Sequence, residues 1–279
     1  MKSFRCGSYR FSLDRPLIVG VVNLTPDSFS GDGLAGKHAA AVAHARRQWE
    51  EGADILDLGA ESSRPGAMPA TVGEELDRLL PVLETVCSWG VPVSVDTCKP
   101  EVMARALSAG ASLINDITAL GHPDALGIVS DSDCAICLMH MQGEPRTMQA
   151  HPCYGDVLSE VSSFLGRRVE ACVAAGVDED RLLVDPGFGF GKTLQHNLAL
   201  LRSLGRVAPR GLPILAGLSR KSMLGALTGG RPVAERQAAS VAAALLAVQR
   251  GAHLLRVHDV AATKDALAVL AALNEGETQ

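Results

Sequence analysis

The chain alternates between short, nearly unbroken apolar runs and longer segments whose apolar residues recur at helical spacing. The runs are PLIVGVVN (16–23), ADILDLG (53–59), VPVSVD (91–96), ASLINDI (111–117), CAICLMH (134–140), RLLVDP (181–186), LPILAGLS (212–219) and AHLLRVHD (252–259). Runs this apolar suit parallel strands buried on both faces. The segments between them carry helix signals. Thr71 and Glu74 have capping-box spacing, with Leu76, Leu79, Leu80, Leu83 and Val86 following at helical intervals and Pro81 placed to bend the helix. Pro100 opens a helix that stops at Gly110. Val157, Val161, Phe164, Leu165, Val169 and Cys172 mark another, ending at Gly176, and the alanine-rich stretch 234–250 closes at Gly251.

Eight repeats of strand, loop and helix predict a (β/α)8 TIM barrel with its active site at the C-terminal ends of the strands. An open doubly wound sheet shares the alternation and is the competing architecture. The length, 279 residues at 47% hydrophobic and 20% charged, supplies one large core. It also fits two ordinary domains, but no linker or low-complexity stretch divides the chain. A single domain over 1–279 is expected, with a frayed tail from about 274. The net charge of −5 gives no general basic surface for nucleic acid or acidic membranes, so an anionic substrate needs a local cluster of Arg and Lys. No apolar run approaches the ~20 residues of a membrane span. The first sixteen residues lack the apolar region of a signal peptide. Seven scattered cysteines fit reduced thiols, and the expected compartment is the cytoplasm.

Polar residues collect at one place in the repeat. Asn23, Asp96, Asn115, His140, Asp185, Ser219, Arg256 and His258 all close an apolar run. One such residue would read as a helix or turn cap; polar groups on at least seven of eight strands do not. Strand alternation puts Arg256 and His258 on one face, and Ser219 with Lys221 opposite Arg220. Lys221, Arg256 and His258 can therefore face one mouth, and Arg220 is expected in a structural ion pair.

Several tempting motifs fail. VDPGFGFGKT (184–193) resembles a P-loop, but Pro186 stands where that motif needs glycine, and glycines at 187, 189 and 191 do not make a dinucleotide fingerprint. Lys192 then reads as the solvated start of a helix. Cys134 and Cys137 have ligand spacing but lie inside a strand, facing opposite ways, and read as core. Met139 and Met141 read as packing or pocket wall. His38, His44 and His253 lack carboxylate partners and read as incidental.

Two groups of residues remain. Asp96, Asn115, Asp185 and Lys221 form an inner set. A buried carboxylate requires donors, and an amidine-like N–C–N edge, as in a guanine-like or pterin ring, donates two parallel hydrogen bonds to one carboxylate. Each charge-assisted bond contributes roughly 1.5–3 kcal/mol. Asn23, Ser63, Arg64, Arg256 and His258 form an outer set suited to phosphate or pyrophosphate, with the Asn23 oxygen available to Mg2+. TPDSFSGDG and SSRPGA follow the first two strands and read as lids. Phe29, a lone aromatic in a polar loop, is expected to cover something.

The motifs GVVNLTPDSFS, GADILDLGAESSRPGA, SVDTCKPEVMARALSAGASLINDIT, LMHMQGEPRTMQ, LLVDPGFGFGKT, ILAGLSRKSMLG and LRVHDV, spread over nearly the whole chain in order, resemble those of the dihydropteroate synthase family. The resemblance implies a TIM barrel, usually dimeric, that joins 6-hydroxymethyl-7,8-dihydropterin pyrophosphate to p-aminobenzoate by SN1-like loss of pyrophosphate. It implies that Asp96, Asn115, Asp185 and Lys221 hold the pterin and that Asn23 is the Mg2+ ligand. It further implies that Ser63, Arg64, Arg256 and His258 handle the pyrophosphate, with Arg64, Lys221, Arg256 and His258 acting in catalysis. Phe29, Pro65, Phe190 and Ser222 would frame p-aminobenzoate, where sulfonamides compete. Two departures stand out: Gly31-Asp32-Gly33 where the family has Asp-Gly-Gly, and Ser63 where it has Thr. A methyltetrahydrofolate-dependent methyltransferase domain shares the pterin set but has no need of SSRPG, LSRKS and RVHD together. An inactive pterin-binding paralogue would have lost pyrophosphate residues. A sugar-phosphate barrel would not explain two acids and an Asn around one ring.

Overall fold

The computed structural model describes residues 3–25, 38–62 and 66–275. Each of the eight apolar runs contains a strand. They are β3 (Leu17–Asn23), β4 (Ile55–Gly59), β5 (Val93–Asp96), β6 (Leu113–Asp116), β7 (Ala135–Met139), β8 (Leu182–Asp185), β9 (Leu215–Ala216) and β10 (Leu254–Val257). Neighbours along the chain pair in parallel from β3 to β8, and β10 pairs with both β3 and β9. The ring closes where Val184 N donates to Pro213 O at 3.0 Å beside a parallel bridge from Val184 to Ile214. An open sheet is thereby excluded, and the molecule is a (β/α)8 barrel.

Nine helices are described: α1 (His38–Glu50), α2 (Val72–Cys87), α3 (Pro100–Ser108), α4 (Ala125–Ser130), α5 (Val157–Ala174), α6 (Leu194–Arg202), α7 (Ser222–Leu227), α8 (Gln237–Gln249) and α9 (Val260–Glu275). The capping box of α2 forms on Thr71 and Glu74 with Pro81 inside the helix, and Pro100 opens α3. The last helix continues through Glu275, past the residue 274 at which the tail was expected to fray.

Strand alternation sorts the core into two clusters. Outward-facing Ile18, Leu56, Val93, Ile114, Ile136, Leu182 and Leu255 pack under the helices. Inward-facing Leu17, Val19, Ile55, Leu113, Ala135, Cys137, Leu183, Leu215 and Leu254 fill the N-terminal end of the barrel. Cys134 and Cys137 fall in different clusters, as expected of core residues three apart on a strand.

A feature absent from the sequence reading closes the bottom of the barrel. Strands β1 (Ser3–Cys6) and β2 (Tyr9–Ser12) pair as an antiparallel hairpin around Gly7, whose φ is +59°. Phe4 and Cys6 are fully buried in the inward-facing cluster, and the Cys6 thiol donates to Ser112 O. The signal was present as alternating Phe4, Cys6, Tyr9 and Phe11 around a Gly-Ser turn.

Candidate active site

On each strand the inward-facing ladder changes character toward the C-terminal end. Ile55 is followed by Asp57 and Gly59, Leu113 by Asn115, Leu183 by Asp185, and Leu254 by Arg256. Parallel register sets these residues side by side: Gly59 against Asp96, Asp96 against Asn115, and Met139 against Asp185. Above them opens a cavity of about 380 Å³. Asn23, Asp96, Asn115, Asp185, Phe190, Ser219, Lys221, Ser222, Arg256 and His258 all line it, so the structure brings together every described residue of the expected site. Phe29, Ser63, Arg64 and Pro65 lie outside the described residues, as does the Gly31-Asp32-Gly33 segment.

The floor is a network of charges. Arg256 Nε donates to Asp57 Oδ2 at 2.6 Å, and Nη2 donates to Asp96 Oδ2 at 2.9 Å. Ser94 Oγ donates to the other oxygen of Asp57. Arg256 therefore sits among the inner acids rather than in a separate outer shell. Burial alone would lower its guanidinium, but the two carboxylates more than reverse this and hold it charged. Burial raises the Asp96 carboxyl, and Arg256 opposes the rise. Asp185 is also raised by burial, against the Gly187 N–H that donates to its Oδ1 at 2.7 Å and the nearby Lys221. Asn115 Oδ1 is buried with no hydrogen-bond partner among the described residues, which invites a donor from a ligand. Asp57 was missed in the sequence. It is an acid in an otherwise apolar strand, two residues before the strand end, and its inward parity was the available sign.

One wall is apolar: Met139, Met148 and Phe190 cluster with Ile117 and Met141. The Lys221 ammonium stands 4.3 Å from the centre of the Phe190 ring. Strand alternation is not what aims Lys221, because β9 ends at Ala216. Arg220 takes a left-handed φ of +59° in the following turn, and Lys221 caps α7. Arg220 forms the expected ion pair, with Asp259 at 2.8 Å, yet also lines the cavity. Arg236, which also lines it and had no sequence signal, holds the same turn through Arg220 O at 3.1 Å. His258 Nδ1 lies 2.9 Å from Ser219 Oγ, and its carbonyl accepts from Gln48 Nε2. His44 is a buried helix residue on Val21 O and Arg47.

Two expectations change. His140 closes β7 but does not line the cavity. Lys192 is not solvated: it is 3% exposed, with Nζ 2.9 Å from His140 Nδ1 and 3.0 Å from both Gly187 O and Phe190 O. Outside the floor, Lys99 joins Glu61 at the cavity rim to the buried Glu75. Among the described residues no cluster of three or more His, Cys, Asp or Glu could hold a metal, and no helix is long and apolar enough to cross a membrane.

A family model described as pterin binding enzyme matches residues 19–258. The dihydropteroate synthase of Neisseria meningitidis serogroup B is 50% identical over 276 residues, 97% of each chain. The Burkholderia cenocepacia dihydropteroate synthase complexed with 7,8-dihydropteroate is 50% identical, with a TM-score of 0.92 over 99% of this chain and 98% of that one. The Yersinia pestis enzyme in a sulfonamide complex is 43% identical, with a TM-score of 0.94 over 98% of this chain and 99% of that one.

Proposed function

The chain belongs to the dihydropteroate synthase family of pterin-binding enzymes, and on that premise we propose how its barrel mouth works. It condenses 6-hydroxymethyl-7,8-dihydropterin pyrophosphate with p-aminobenzoate to give 7,8-dihydropteroate and pyrophosphate. The observation that carries the reading is the unpartnered Asn115 Oδ1, buried between Asp96 and Asp185 on one floor. A flat ring with several N–H donors satisfies that oxygen and both carboxylates together, and Lys221 donates to the ring carbonyl. A ring lacking those donors leaves buried acceptors unpaired, which is a strong source of selectivity. The methyltransferase and inactive-paralogue alternatives do not account for Arg256, His258 and Lys221 converging on the same cavity.

The reaction breaks the C–O bond at the exocyclic methylene, and its electron pair leaves on pyrophosphate. The ring delocalises the cation that remains, with Asp96 and Asp185 placing negative charge beside it. Arg256 and His258 face the developing negative charge on the leaving group. The neutral arylamine then attacks through its nitrogen lone pair and sheds a proton. Positioning and electrostatics supply the catalysis, and no side chain is assigned as general base. By the family resemblance, Ser63 and Arg64 would serve the pyrophosphate subsite, and Phe29 and Pro65 would join Phe190 and Ser222 in serving the arylamine.

Asn23 ends β3 at the cavity and presents an amide oxygen, a donor that suits Mg2+. Substrate pyrophosphate oxygens and water would serve as further ligands. The metal would supply charge stabilisation to the leaving group. We also propose a cytoplasmic homodimer that sulfonamides inhibit at the arylamine subsite.

The test is direct. The purified chain should form dihydropteroate from the two substrates, lose the activity when EDTA removes Mg2+, and show a rising apparent KM for p-aminobenzoate with sulfonamide. Pterin pyrophosphate binding without any turnover would sink the enzyme reading.

A further inference from the structure

The segment 187–191 leaves β8, crosses the cavity wall and enters α6, and its conformation is unusual throughout. Gly187, Gly189 and Gly191 have φ of +69°, +79° and +62°. A Cβ at Gly187 would lie 1.9 Å from His140 O, and one at Gly191 would lie 2.3 Å from Gln142 O. The loop is therefore pressed against the backbone that follows β7. Such an approach turns several carbonyls toward one buried point, where they repel one another and have no water. Lys192 Nζ occupies that point. It reaches Gly187 O and Phe190 O of the loop at 3.0 Å each, and His140 O and Nδ1 across the gap at 3.3 and 2.9 Å. Burial and the adjacent ammonium lower His140 to about 3, so its ring is neutral and Nδ1 accepts. Three further ties hold the same loop: Tyr154 Oη donates to Gly191 O at 2.9 Å, Gly189 N donates to Asn197 Oδ1 at 2.8 Å, and Gln149 Nε2 donates to Gly189 O.

The loop's outer side faces the cavity. Phe190 presents its ring beneath the Lys221 ammonium, and a Cβ at Gly189 would stand 3.4 Å from Lys221 Cδ. Displacing the loop moves Phe190 and breaks its contact with Lys221. Asp96 and Asn115 stand on β5 and β6, which Lys192 does not touch.

We propose that Lys192 is a positioning residue that locks the 187–191 loop to the end of β7 and thereby sets the arylamine subsite at Phe190. This rests on the reading that the arylamine binds beside Phe190. Lys192→Met removes the donor of Phe190 O and the link between Gly187 O and His140, and lets the loop move. The expected result is a rise of about tenfold or more in the KM for p-aminobenzoate, the scale on which an ångström of misplacement acts. The KM for pterin pyrophosphate should rise by less, because Asp96 and Asn115 stand on β5 and β6, and of the pterin set only Asp185 and Lys221 border the loop. Lys192→Gln keeps two N–H donors and should fall between parent and Met. Tyr154→Phe removes one tie without stranding a charge, and should raise the same KM by less, which decides the matter if Lys192→Met does not fold. Equal losses on both substrates, or an unchanged arylamine KM in both Lys192→Gln and Tyr154→Phe, would overturn the proposal. An inactive parent would sink the function reading alone. Amide hydrogen exchange across 187–191 then decides the clamp: faster exchange in Lys192→Gln supports it, and unchanged exchange overturns it.

Discussion

Arg256 has its guanidinium held from below by Asp57 and from the side by Asp96. Three charges in the floor of a barrel are costly to desolvate, and their arrangement stabilises only while it is complete. Asp57 is 1% exposed, pairs with Arg256 and accepts from Ser94, so it serves as an aiming group. Asp57→Ala should destabilise the fold, by at most about the 3–5 kcal/mol of a fully broken buried pair, because Asp96 still faces Arg256. Chemical denaturation would show this as a lower midpoint, with a parallel fall in kcat/KM because Arg256 loses its aim. An unchanged midpoint would mean that Arg256 is fixed by something else. The same logic explains Lys192. A lysine after a glycine run looks like a solvated helix start when only its neighbours in sequence are known. What buries it is a carbonyl of His140, a residue 52 positions away.

At the scale of elements, the hairpin β1–β2 acts as a plug. The barrel is filled by side chains rather than hollow, and its open N-terminal end would expose Leu17, Ile55, Leu113 and Leu254 to water. Phe4 covers them and is completely buried. Phe4→Ala should cost about 3–5 kcal/mol by denaturation. The folded fraction should keep its KM values, because the mouth is at the other end of the strands. A cost below about 1 kcal/mol would show that the barrel bottom closes without the hairpin. The short β9 makes a second point at this scale. Gly217 and the left-handed turn at Arg220 end the strand early, and a turn rather than a strand aims Lys221. Arg236, at the start of α8, braces that turn from behind.

For the whole molecule, the outer ring of helices is not uniform. Helix α8 is apolar on nearly all sides, and Leu227, Leu246, Val269 and Leu273 of α7, α8 and α9 are exposed. Large apolar side chains grouped on consecutive helices favour association. Sedimentation equilibrium should give a species of twice the chain mass, and Leu273→Glu with Val269→Glu should shift it toward monomer. A parent that sediments as a monomer at all concentrations would end the dimer proposal.

The alternation of apolar runs with helical segments determined an α/β fold of eight parallel strands, and the observed closure between Val184 and Pro213 decided for the barrel over an open sheet. Burial on both faces of a parallel strand leaves few other ways to read eight such runs. Strand-end position, which is local, determined Asn23, Asp96, Asn115, Asp185, Arg256 and His258 as one site, because a barrel must bring those ends together. The sequence did not determine which charges share a partner. That Arg256 bridges Asp57 and Asp96, that His140 turns away from the cavity, and that Lys192 is buried were decided by closure of the ring. Closure sets residues from distant strands within hydrogen-bond reach and removes the water that would otherwise have solvated them.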